Sequence, residues 1–184
     1  MQYTDSQGQI QSGWLSASAS AFGEYAFTTS VGQAMLLAYQ ICEGDAAGTP
    51  VTFFSTNGPA TYPYLAGVVG FASLNNDLGP DMFNYVYIGG SAMEVPAGPA
   101  QYEKNAFSDA SGAREGLETA IWSIGAGGAI AAQWVNTNGA VFTPQIAYIP
   151  SSGAFALLGD VSQFITNFGG AYPATWTFVT NIQE

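Results

Sequence analysis

FNYVYIGG, residues 83–90, poses the problem that the rest of the chain has to solve. Successive side chains of an extended strand alternate, so Phe83, Tyr85 and Tyr87 point to one face and Val86 and Ile88 to the other. Both faces are apolar. A strand of that kind is central in its sheet, or one of its faces lines a cavity. Its aromatic face is therefore the first candidate ligand surface, with Tyr85 and Tyr87 as its members.

Outward from this strand, short β-rich runs recur between turn residues. They are EYAFTTS (24–30), AMLLAYQIC (34–42), VTFFST (51–56) and YLAGVVGFAS (64–73) before it, and TAIWSIG (119–125), IAAQWV (130–135), QIAYIP (145–150) and TWTFVT (175–180) after it. Val, Ile, Thr and aromatic residues inside the runs, with Gly, Asn and Pro between them, predict an all-β fold. The architecture is an antiparallel β-sandwich or barrel, and Asn138–Gly139 suits a type I′ hairpin turn. GDVSQFITNFGG (159–170) breaks the pattern, placing Val161, Phe164, Ile165 and Phe168 at helical spacing between an Asp160 cap and two glycines. This predicts one short C-terminal amphipathic helix whose apolar stripe packs on the β core. At 184 residues the chain fits one domain, 1–184, with a single core.

From Val95 to Glu118 the β pattern lapses into a polar segment. Loops of that length inside a compact domain are functional lids or disordered segments. Both cations of the chain, Lys104 and Arg114, lie within 95–118, against a formal net charge of −11. Phosphate recognition requires clustered Lys and Arg, so nucleic acid and anionic membrane surfaces are not expected partners. The longest apolar stretch, YLAGVVGFA, is too short to span a bilayer as a helix. No basic and apolar leader opens the chain, which leads to a cytoplasmic expectation, with a mature secreted form left open.

The absence of histidine removes imidazole acid–base chemistry, and the lone Cys42 removes cysteine-rich metal sites and an internal disulfide. Cys42 reads as a small buried hydrophobe. NNDLGPDMFN (75–84) concentrates oxygen ligands, so Asn75, Asp77 and Asp81 are candidate calcium ligands, although their spacing is not that of an EF-hand loop. An Asx-rich turn is the alternative.

Twelve Phe, ten Tyr and four Trp make aromatic content the strongest compositional signal. Tyr62, Tyr64, Tyr85, Tyr87, Tyr102 and Phe107 lie in or near loops and the doubly apolar strand, where a concave aromatic lining would hold a hydrophobic small molecule. Lys104 and Arg114 would direct an anionic head group to the same place, or else pair with neighbouring carboxylates. The expected function is non-enzymatic binding of a hydrophobic conjugated molecule. A carbohydrate-binding lectin, calcium-assisted through Asp77, is the alternative, and a hydrolase built on two carboxylates stays open. Oligomeric state is also open, a homo-oligomer included.

AIWSIGAGGAIAAQWVNTNG (120–139), FALLGDVSQFITNFGG (155–170) and WTFV (176–179) resemble stretches of acidic proteins of mushroom-forming fungi, a group that includes pigment-carrying chromoproteins. The resemblance implies a β-rich fold holding a long conjugated carboxylic acid, a polyene chromophore. It rests on turn and core residues and assigns no functional residue.

Overall fold

The computed structural model describes residues 1–41 and 48–180, which leaves Cys42 outside the described residues. The N-terminal half forms β1 (Gln2–Thr4), β2 (Ile10–Ser12), β3 (Trp14–Ala19), β4 (Tyr25–Thr28), β5 (Leu37–Ala38), β6 (Phe53–Ser55), β7 (Tyr64–Val69) and β8 (Tyr85–Ser91). After helix α1 (Ala106–Ser111) come β9 (Leu117–Glu118), β10 (Trp122–Ile124), β11 (Ala129–Ala132), β12 (Trp134–Val135), β13 (Val141–Phe142), β14 (Gln145–Ile149) and β15 (Ala154–Leu158). Helix α2 (Val161–Phe168) and β16 (Tyr172–Thr177) complete the described chain.

Every strand pairing is antiparallel, in the order β10, β11, β16, β14, β15, β8, β7, β6, β5. A bridge between Val51 and Trp122, with N···O distances of 2.6 and 3.2 Å, ties the chain entering β6 back to β10. The circuit therefore closes into a barrel, which shields all but short sheet edges.

The barrel is filled. Phe53, Leu65, Val86, Ile88, Phe155 and Leu157 belong to one buried cluster, and Trp122 stacks between Phe53 at 5.9 Å and Trp176 at 5.8 Å. Trp122 Nε1 donates to the Leu65 carbonyl at 3.0 Å, so its one polar atom is satisfied inside the core. Burying rings of that size supplies several kcal/mol each at about 25 cal/mol per Å².

Strand β8 is central, between β7 and β15, and the outer faces of these strands need a second cover. Helix α2 supplies part of it, resting Phe164 on Tyr85, Ala147, Ala156 and Leu158. Asp160 caps this helix as the sequence predicts, accepting from Gln163 N at 3.0 Å. The segment 95–118 supplies the rest, packing Val95, Phe107 and Leu117 on Ala66 and Val68. Rather than an unstructured loop, this segment contains α1 and β9 and is pinned by Asn105. That buried side chain accepts from Ser108 N at 2.8 Å, capping α1, and donates to the carbonyls of Glu103 and Glu115 at 3.1 and 3.2 Å. Its polar composition conceals this because the folding information lies in one hub residue rather than in a periodic stripe.

One strand is absent from the sequence-based runs, and one turn reading needs correction. The strand beside β8 is β15, whose AFALL sequence shows no alternation because both of its faces are buried. The Asn138–Gly139 hairpin forms between β12 and β13, yet only Gly139 has positive φ (82°), and the bonds Gly139 N to Asn136 O and Asn136 N to Ala140 O define a longer loop. A type I′ turn needs positive φ at both central residues, so this is a turn followed by a glycine bulge.

Glu118 is 2 % exposed, and among the described residues its carboxylate accepts from Val135 N, at 3.0 and 3.2 Å. Burial pushes its pKa up to about 8, an effect that the Val135 N–H only partly offsets. The folded protein thus holds this proton more tightly than the unfolded chain does. Stability from this group is complete below about pH 4.5 and is lost as the pH rises to about 8. Urea midpoints measured across that window should fall with rising pH, and Glu118→Gln should flatten the fall; an unchanged slope in the variant would refute the assignment. Asn105→Ala should lower stability by about 2–3 kcal/mol, from the lost cap and two orphaned carbonyls. The check is its urea midpoint against that of the unaltered protein.

Candidate functional site

The two covers of the outer face leave a gap between them. It is a cleft of about 210 Å³ over β8 and β15, walled by Tyr85, Tyr87, Phe71, Phe164 and Phe168, with Glu24 and Ala156 also facing it. The register explains the hollow. Ala156 pairs with Tyr87 on one side and Ala147 on the other, so methyl groups stand where larger side chains would fill the space.

The tyrosines are held from several directions. Their hydroxyls lie 3.0 Å apart, one donating to the other, and their rings meet edge to face at 5.1 Å. Phe164 and Phe168 contact the Tyr85 ring at 5.3 and 5.2 Å, and Phe107 backs Tyr87 at 4.6 Å. Gly70 matters here because a Cβ on it would fall 2.3 Å from the Tyr85 ring. Only a glycine lets that ring lie against the turn.

Glu24 reaches the cleft by way of the β3–β4 hairpin, which enters the fork where β8 and β15 separate. Ala26 pairs with Ala154, and Glu24 bridges Gly89 on the face that carries Tyr85 and Tyr87. Glu24 is 6 % exposed, and burial raises its carboxyl pKa against a small opposing effect of Ser20. The Tyr87 hydroxyl is pushed far up by burial, then by its bond to Tyr85 and by the charges of Glu24 and Glu115. Tyr85 is also raised, chiefly by burial, with the same two carboxylates adding to the effect.

The eight candidate ligand-binding residues do not form one site. Tyr85 and Tyr87 line the cleft, and Phe107 supports it from behind. Tyr64 packs on Phe54 at 5.4 Å instead. Lys104, Arg114 and Tyr102 line a separate shallow groove of about 270 Å³ that shares no residue with the cleft. There Lys104 pairs with Asp109 at 3.5 Å, Tyr62 donates to Asp109 at 2.5 Å, and the Arg114 guanidinium lies 5.4 Å from the centre of the Tyr102 ring. Exposed pairs of this kind contribute about 0–1 kcal/mol. The two cations therefore serve their own loop, and an anionic head group seated at Tyr85 would meet neither.

Sequence reasoning missed Glu24, Phe71, Phe164 and Phe168 as site residues. A signal existed for two of them: Glu24 stands as the one charged residue of the EYAFTTS run, and the α2 stripe is too wide for the surface it covers. Phe164 is buried, but Ile165 and Phe168 are 44 % and 39 % exposed.

The side chains of two of the three candidate calcium ligands, Asn75 and Asp77, hold loops together. Both Asp77 carboxylate oxygens accept from Thr137, from its N at 2.6 Å and its hydroxyl at 3.0 Å. Asn75 Oδ1 accepts from Asp77 N and from Asn84 Nδ2 at 3.0 and 2.7 Å. Asp81 has φ of 61° and donates its N–H to Asp160 at 3.1 Å. Among the described residues, no group of three or more His, Cys, Asp or Glu side chains is placed to hold a metal ion. Trp122, Trp134 and Trp176 are buried in the core, so none of them presents a stacking platform. No helix among the described residues is long and apolar enough to cross a membrane.

A larger hollow of about 410 Å³ lies beside Met1, Met35, Trp176 and Phe178, and its rim includes Thr180, next to the undescribed residues. The residues that line the tyrosine cleft are described ones, and among the hollows lined by described residues it is the one that combines an aromatic lining with a buried carboxylate. In comparisons with known proteins, the chain matches no family model, no curated protein and no solved structure.

Asp77→Ala should lower the thermal midpoint by the same amount with calcium and with chelator, since the carboxylate holds Thr137. A drop seen only when calcium is present would instead support calcium binding at Asp77.

Proposed function

We propose that this chain is a non-enzymatic binding protein that holds a hydrophobic, conjugated small molecule against Tyr85 and Tyr87. The observation that carries the reading is the gap itself: an aromatic hollow on the central strands, formed where both covers stop short and floored by Ala156. Phe71, 65 % exposed, and Phe168 extend the apolar surface beyond the hollow. A planar polyene of the kind implied by the resemblance over 119–180 would place one end in the cleft and lay its chain along this rim.

The energetics require both parts. Burying about 200 Å² in the cleft supplies roughly 5 kcal/mol at about 25 cal/mol per Å². Association costs about 4–15 kcal/mol, so micromolar binding needs the rim contact and a preformed wall. The interlocked tyrosines and phenylalanines supply such a wall at little further ordering cost.

Protein purified from its native source should show visible or near-ultraviolet absorption beyond that of its aromatic residues, and solvent should extract the absorbing molecule. Ala156→Leu, which fills the floor beside Tyr87 and leaves both tyrosine side chains chemically unchanged, should abolish the loading. A colourless preparation with nothing extractable, or full loading of Ala156→Leu, would refute the reading.

A further inference from the structure

We infer that the part of the ligand seated in the tyrosine cleft carries a positive charge, as an amine or a quaternary ammonium group, with the Glu24 carboxylate as its counter-ion. The inference rests on the preceding assignment of the cleft as the binding site. It departs from the sequence-based expectation of an anionic head group, because the charges lie elsewhere than the sequence suggested.

Three observations converge. Among the described residues, Glu24 is the only ionic side chain lining the cleft, and Lys104 and Arg114 are engaged with Asp109 and Tyr102 in the other groove. A carboxylate ligand would therefore bring a second negative charge into a poorly solvated space with no cation to meet it. Next, the aromatic side chains of Tyr85, Tyr87, Phe71, Phe164 and Phe168 line the same cleft as this carboxylate. Ring faces carry negative potential and attract cations, most strongly where water is excluded. Finally, Glu115 adds to the negative field at both tyrosines, and the chain as a whole carries −11, so the long-range field also favours a cation.

The pair also resolves a cost within the apo protein. Glu24 is nearly buried and has no basic partner, so its charged form is disfavoured by lost hydration. A ligand cation would restore the missing counter-charge without adding a polar group to the protein. At about 210 Å³ the cleft accepts a trimethylammonium-sized group with its first attached carbons, while a longer apolar tail would follow the Phe71 rim.

Choline, its uncharged tert-butyl isostere dimethylbutanol and the anionic isostere tert-butylacetate share shape and differ in charge. Each should be titrated into the isotope-labelled full chain and followed by NMR at the amides of Glu24, Tyr85, Tyr87 and Ala156. Choline should bind about 10-fold more tightly than the alcohol, the ratio expected for a cation among desolvated rings beside a carboxylate. Tert-butylacetate should bind most weakly. Glu24→Gln should bring choline and the alcohol to within about 2-fold of each other, while Phe71→Ala should weaken both. If Glu24→Gln does not fold, the choline-to-alcohol ratio of the unaltered protein decides alone. Equal or tighter binding of the alcohol or the carboxylate would overturn the cation while leaving the cleft as a binding site. No shift with any of the three probes would overturn both.

Discussion

A strand with two apolar faces has to be covered twice, and the structure is organised around that requirement at β8. The barrel interior takes Val86 and Ile88 into an aromatic core. The outer face, carrying Tyr85 and Tyr87, is covered by α2 on one side and by 95–118 on the other. Neither element is wide enough to meet the other. What they leave open is the cleft, so the candidate site is a consequence of how the fold completes its second layer.

The packed centre of the barrel leaves hollows beside Met1 and Trp176 and on the outer face of β8 and β15. Trp122 lies between Phe53 and Trp176 with its indole N–H bonded to Leu65, and Gly67 faces inward where a Cβ would come 2.8 Å from Val86. Close-packed aromatic layers of this kind exclude guests. Larger barrels enclose their ligands, whereas this one offers an external hollow. The same packing fixes the backbone of β8, so Tyr85 and Tyr87 project from a rigid strand.

Charge placement separates two regions that composition alone had merged. The 95–118 segment uses its cations locally, on Asp109 and the Tyr102 ring, and uses Phe107 to brace Tyr87 from behind. Glu24 arrives at the cleft from a hairpin more than sixty residues away in sequence. Aromatic walls, a small-residue floor and one sequestered carboxylate favour a cationic, apolar guest, and every one of those properties comes from a different element.

The sequence by itself determined the all-β class, the two apolar faces of the strand at Tyr85–Ile88, the α2 helix and the aromatic face at Tyr85 and Tyr87. Each follows from local alternation, helical spacing or capping, which a short window of residues carries. Only the tertiary structure decided barrel closure through Val51 and Trp122, the strand role of AFALL, the ordered state of 95–118 and the separation of Arg114 from the tyrosines. It also brought Glu24 to them. Those outcomes depend on strand register and on which distant segments share an edge. Because a single-residue slip reverses every side chain's face, pairing rather than composition settles which groups meet.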